Sequence, residues 1–133
     1  MYRVLLAVDE DKERAEAQAN SITELPGTDE IEVVVFHDFV ENPSGASVTQ
    51  VGSVRRAVKI LEEAGISHSL TEASGEPSET ILKVAEEEDV DLISLAGRDK
   101  TPTGKVLFGS VTQAVILNAD RPVMVVTGDR SGT

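Results

Sequence analysis

Val90-Asp91-Leu92-Ile93-Ser94-Leu95-Ala96 is an almost unbroken apolar run, and it feeds a polar loop that reaches Gly109-Ser110-Val111-Thr112. A second apolar run, Pro122-Val123-Met124-Val125-Val126, closes the stretch. Short continuous apolar runs of this kind suit strands covered on both faces, and the residues between them have room for a crossover helix. The stretch therefore reads as strand, loop, helix, strand. A glycine and two hydroxyl residues at a helix start gather backbone N–H and O–H donors at one point. That end of a helix also carries partial positive charge, which suits an anion such as phosphate. The same residue types serve as plain helix caps, and the pattern alone leaves both readings open.

Working outward, the same alternation fills the chain. Arg3 to Val8 is a first apolar strand, closed by Asp9-Glu10-Asp11, and a helix begins near Lys12 with Ala15, Ala19 and Ile22 on its inward stripe. Pro26-Gly27 ends it. A second strand covers Ile31 to Phe36 and reaches toward Val40, and 41–47 reads as a surface loop. The next helix carries Val51, Val54, Val58 and Leu61 on one face and stops at Gly65. Ser67 to Ala73 reads as a weaker strand at a sheet edge, wet on one side. Gly75-Glu76-Pro77 then introduces a third helix with Ile81, Leu82, Val84 and Ala85 inward, the proline fitting its first turn. The fourth helix covers Ser110 to Ala119. Five strands alternating with four helices predict an α/β sandwich of three layers, a parallel sheet with helices on both faces. Residues 1–128 read as one domain and 129–133 as a flexible tail.

Composition narrows the partners. With 24 acidic and 12 basic residues among 133, the net charge is −12, a surface that repels nucleic acid and anionic membrane. There is no cysteine, so disulfides, thiolate metal sites and cysteine nucleophiles are excluded. No apolar run approaches the roughly 18 residues needed to span a bilayer. The opening run is too short and too β-like for a signal peptide, which predicts a cytoplasmic protein. Five lysines, few aromatics and the acidic excess match a chain adapted to concentrated salt, where ions screen self-repulsion.

In open parallel sheets, ligands bind beyond the C-terminal ends of the strands where strand order reverses. Asp9 ends the first strand and the loop from 97 to 109 follows the fourth. If those strands are neighbours at the reversal, both segments border one crevice.

On these residues the chain resembles the universal stress protein family of the small, single-domain, haloarchaeal-like kind. The resemblance rests on Val4-Leu5-Leu6-Ala7-Val8-Asp9, Gly65, Gly75-Glu76-Pro77, and above all Asp91-Leu92-Ile93 through Gly109-Ser110-Val111-Thr112 to Arg121-Pro122-Val123-Met124-Val125-Val126. It implies an adenine nucleotide alpha hydrolase-like fold: five parallel strands in order 3-2-1-4-5 and a homodimer through the fifth strand. It also implies ATP as a regulatory ligand, with Mg²⁺ when bound, held by Ala7, Val8, Asp9, Ala96, Gly97, Gly109, Ser110, Val111 and Thr112. Any hydrolysis is at most slow, since no placed general base or arginine finger is visible.

The match is incomplete. Nucleotide-binding members space their motif Gly-x2-Gly-x9-Gly-Ser/Thr, and aligned from Asp91 the first two glycines fall on Ala96 and Asp99. Gly97 can take the first glycine's place with a shift of one residue. Arg98, Lys100, Gly104 and Lys105 can rebuild a phosphate loop around Asp99. The alternative reading is a nucleotide-free dimer acting through protein partners. Other residues weigh less: Asp9 could cap the first helix, Glu10 and Asp11 add negative charge at the crevice mouth, and His37 reads as a polar strand end. A phosphorylated receiver domain would need an aspartate ending the third strand, where Glu72-Ala73-Ser74 stands instead.

Overall fold

The computed structural model describes residues 1–39, 47, 51–97 and 108–127. The expected loop at 41–47 (apart from Ser47), the tail at 129–133, and Arg98, Asp99, Lys100, Gly104 and Lys105 lie outside the described residues. The elements run β1 (Tyr2–Ala7), α1 (Lys12–Thr23), β2 (Ile31–Asp38), α2 (Gly52–Glu63), β3 (Ser67–Ala73), α3 (Pro77–Glu87), β4 (Leu92–Ala96), α4 (Ser110–Asn118) and β5 (Val123–Val126). All strand pairs are parallel, and the sheet order is β3-β2-β1-β4-β5. The expected architecture holds, with boundaries moved by a residue or two. β2 runs past Phe36 to Asp38, because β3 pairs with it through Asp38↔Ala73.

Period-two alternation divides the core. Val4, Leu6, Val33 and Val35 face α1 and α2, where they meet Ala15, Ala19, Ile22, Val54, Ala57 and Leu61. Leu5, Val34, Phe36, Ile93 and Leu95 face α3 and α4, against Ile81, Val84, Ala85 and Val115. β1 and β2 bury both faces, which is why they read as unbroken apolar runs rather than alternating ones. β3 is wetter than its sequence suggests: none of its residues is fully buried, and Leu70 is exposed.

The helix starts are built in different ways. Asp11 caps α1 by accepting the Arg14 N–H at 3.0 Å, and Glu76 caps α3 by accepting the Glu79 N–H at 3.0 Å. Asp9 is therefore not the cap of the first helix. α4 begins after Gly109, which is extended (φ −70°, ψ 168°) and has no side chain to cap anything. Gly65, at φ 72°, closes α2 in the left-handed region that glycine occupies without strain.

Glu88 accepts from the Arg3 guanidinium at 2.9 Å, tying the end of α3 to the start of β1.

Candidate functional site

Strand order reverses between β1 and β4. The chain leaves β1 toward β2 and β3, then crosses back to lay β4 and β5 on the other side. Their pairing stops at Leu6↔Ser94, and beyond it the two strands part. A cleft of about 670 Å³ opens there, within the size range of small-molecule sites.

Ala7, Val8, Asp9, Ala96, Gly97, Gly109, Ser110, Val111 and Thr112 all line this one cleft. The end of the first strand and the start of the last helix thus border the same space. Its other walls come from residues that the sequence did not single out as site residues, Arg14, Phe36, Asp38, Pro77, Ile81 and Leu95, together with His37 and with Glu10, which was expected at the crevice mouth. The floor is apolar on the α3–α4 side, through Phe36, Ile81 and Leu95.

Hydrogen bonds fix the β1 end. The Val8 N–H donates to Phe36 O at 2.8 Å, and His37 Nδ1 lies 2.7 Å from Val8 O, so in its neutral form this histidine carries its proton on Nδ1. His37 is a polar residue near the end of β2, as expected, and it is buried, its ring meeting Phe39 edge-on at 4.7 Å. Ser53, fully enclosed at the start of α2, donates its hydroxyl to the Asp9 carbonyl. The Asp9 carboxylate is also engaged: one oxygen accepts the Asp11 N–H at 2.8 Å, and the other lies 3.2 Å from the Arg14 guanidinium.

The α4 end is built for acceptors. The first bond within the helix is Gln113 N–H to Gly109 O at 3.1 Å, so the N–H groups of Ser110, Val111 and Thr112 precede the helical ladder. Gly109 at the N-cap has no side chain to cap them, and among the described residues none does so. The two hydroxyls differ: Thr112 is buried and donates to Ala96 O at 3.3 Å, whereas Ser110 is exposed at the mouth. Thr112 therefore ties α4 to the end of β4, and Ser110 is the hydroxyl offered to the cleft. Gly97 is held on the opposite side by donating to Val126 O at 2.8 Å.

Charge at the described rim is mixed. Asp9, Glu10 and Asp38 bring three carboxylates against the single guanidinium of Arg14. Asp38 accepts from the Thr80 hydroxyl through one oxygen, and its other oxygen is buried without a partner among the described residues. Among the described residues, no group of three or more His, Cys, Asp or Glu gathers as a metal site, and no helix is long and apolar enough to cross a membrane.

A doubly wound parallel sheet with an open cleft at its switch point places the chain among α/β domains whose ligand sites characteristically lie at that point. The sequence profile of the Universal stress protein family matches residues 1–127, and the chain belongs to that family. It is similar to universal stress protein MJ0577 of Methanocaldococcus jannaschii, 41% identical over 68 residues, which span 51% of this chain and 42% of that one. The matching stretch is thus less than half of that relative's length. Among solved structures, the universal stress protein from Archaeoglobus fulgidus superposes with a TM-score of 0.77 at 27% identity, covering 95% of this chain and 98% of that one. The structure from Archaeoglobus fulgidus in complex with dAMP gives a TM-score of 0.70 at 23% identity over the same shares.

Proposed function

We propose that this protein binds an adenine nucleotide in the cleft between β1 and β4, as a regulatory ligand rather than a rapidly turned-over substrate. The observation that carries this reading is the start of α4, without a side-chain cap among the described residues, facing the end of β1 across one open cleft. Phosphate oxygens would take the N–H groups of Ser110, Val111 and Thr112 and the Ser110 hydroxyl. The base and ribose would lie toward Ala7, Val8 and Asp9, over the apolar floor. That a similarly folded universal stress protein from Archaeoglobus fulgidus binds dAMP supports an adenine nucleotide as the class of ligand. ATP is the fuller ligand proposed. Mg²⁺, a hard cation, would be held mainly by phosphate oxygens and water, with Asp9 or Glu10 at hand.

β5 is the proposed contact in a homodimer. It ends the sheet, its Val123, Met124 and Val125 stay partly open, and Leu117 on the neighbouring α4 is 81% exposed.

A second reading is favoured by one specific feature. The Asp9 carboxylate is already satisfied by Arg14 and by the Asp11 N–H, and Ala96 stands where nucleotide-binding relatives carry glycine. On that reading the dimer acts through protein partners without nucleotide. Calorimetric titration with AMP and ATP, with and without Mg²⁺, in dilute and in multimolar KCl separates the two. Saturable heat whose affinity falls about tenfold in Ser110→Ala supports the nucleotide site. No heat with either nucleotide at any salt concentration leaves the second reading.

A further inference from the structure

α1 contributes one fully buried polar side chain, Gln18, on the stripe otherwise formed by Ala15, Ala19 and Ile22. Its Nε2 lies 3.0 Å from Ala7 O and 3.3 Å from Ser94 O. One amide thus donates to the carbonyls of both strands at the level where their pairing ends. β1 continues with β2 to Ala7↔Phe36, and β4 continues with β5 to Ala96↔Val126, so each strand stays anchored on its outer side while the inner seam opens.

We propose that Gln18 is a positioning residue for the cleft: its amide is a crossbar that sets how far β1 and β4 part, and hence the distance from Ala7 to Ala96. The proposal rests on the nucleotide reading for its ligand, though not for its geometry. An apolar side chain of similar volume would fill the space without bonding either strand. It would also spare a cost, because Gln18 Oε1 is buried without a partner among the described residues. Buried polar atoms in that state weaken a core. A glutamine here is a poor choice for packing and a good one for fixing two carbonyls relative to each other. Ser94, facing α1 on the same side, lets the amide approach where a larger strand residue would obstruct it.

The test is Gln18→Met in the full chain, read by amide hydrogen exchange and by AMP titration beside the parent. Exchange at Val8 and Gly97, the amides flanking the opening, should rise about tenfold while Val34 in the sheet centre stays as in the parent. AMP affinity should fall about tenfold, the scale of one lost buried hydrogen bond. Unchanged exchange at Val8 and Gly97 overturns the proposal, and so does a uniform rise across the sheet, which marks Gln18 as packing only. If the parent shows no affinity for AMP, the nucleotide reading fails and the exchange pattern alone decides the crossbar. If Gln18→Met loses its cooperative unfolding, the side-chain amide protons of Gln18 in the parent decide it. Slow exchange at both supports the crossbar, and free exchange at either removes it.

Discussion

The Arg14 guanidinium lies 3.2 Å from the Asp9 carboxylate, one turn into α1, and reaches Asp11 at 4.0 Å. It is the only cation among the described residues lining the cleft, set against three carboxylates. Arg14→Met should therefore weaken AMP binding about fivefold, by leaving the Asp9 charge uncompensated at the rim. The pair is partly exposed, so the difference from the parent should shrink as KCl is raised. A salt series of titrations on both proteins checks this.

Ser110 and Thr112 should separate cleanly. Ser110→Ala removes an exposed hydroxyl, which leaves the urea midpoint nearly unchanged while AMP affinity falls about tenfold. Thr112→Val leaves Ala96 O without its hydroxyl donor and should cost about 1–2 kcal/mol of stability. Equal effects of the two on affinity would refute this division of roles.

Glu76 gives the fold an acid-sensitive joint. The Ser78 hydroxyl, then the Glu79 N–H, hold its carboxyl below its usual 4.5. A carboxyl with a depressed folded value adds stability above its unfolded value, and that stability fades as pH falls through the folded value. Glu76→Ala should thus be less stable than the parent at neutral pH, and the two should converge in acid. Unfolding midpoints followed downward from neutral pH test the convergence.

Leu117→Glu places a charge on the most exposed large apolar side chain among the described residues. With a dimer through β5 and the adjoining α4, this variant should sediment as a monomer while keeping the parent's circular dichroism. Identical sedimentation of the two chains would move the contact elsewhere.

Leu61→Ala removes a fully buried side chain from the layer between α2 and the sheet. It should cost about 3 kcal/mol in a urea titration, with AMP affinity preserved in the folded population.

The layers were readable because Leu5, Leu6, Val33 and Val34 form runs that only a sheet covered on both faces explains. The cleft's two ends were readable because Asp9 and Gly109-Ser110 close and open elements with unmistakable apolar flanks. Arg14, Asp38 and Gln18 were not assigned to the site. Each lies on or beside a helix or strand whose apolar pattern is complete without it, and only the parting of the parallel strands β1 and β4 gives each its place. Gln18 did leave a signal: it falls three residues after Ala15 on the inward stripe, where a polar residue must find buried partners. The role of Thr112 was hidden for a different reason. Whether a hydroxyl at a helix start faces a ligand or a neighbouring strand depends on where β4 ends, and that distance is tertiary.

The strand order also governs when the cleft comes into being. During synthesis from the N-terminus, β1 can pair with β2 once residue 38 has emerged, yet its other edge stays bare until β4 is made more than fifty residues later. Every lining residue before Leu95 is then on hand with no opposite wall. A nascent chain halted at that stage exposes an apolar central strand as a docking edge for chaperones or for other unfinished copies. The proposed ligand could therefore be captured only late, after β4 and α4 have supplied the opposite wall.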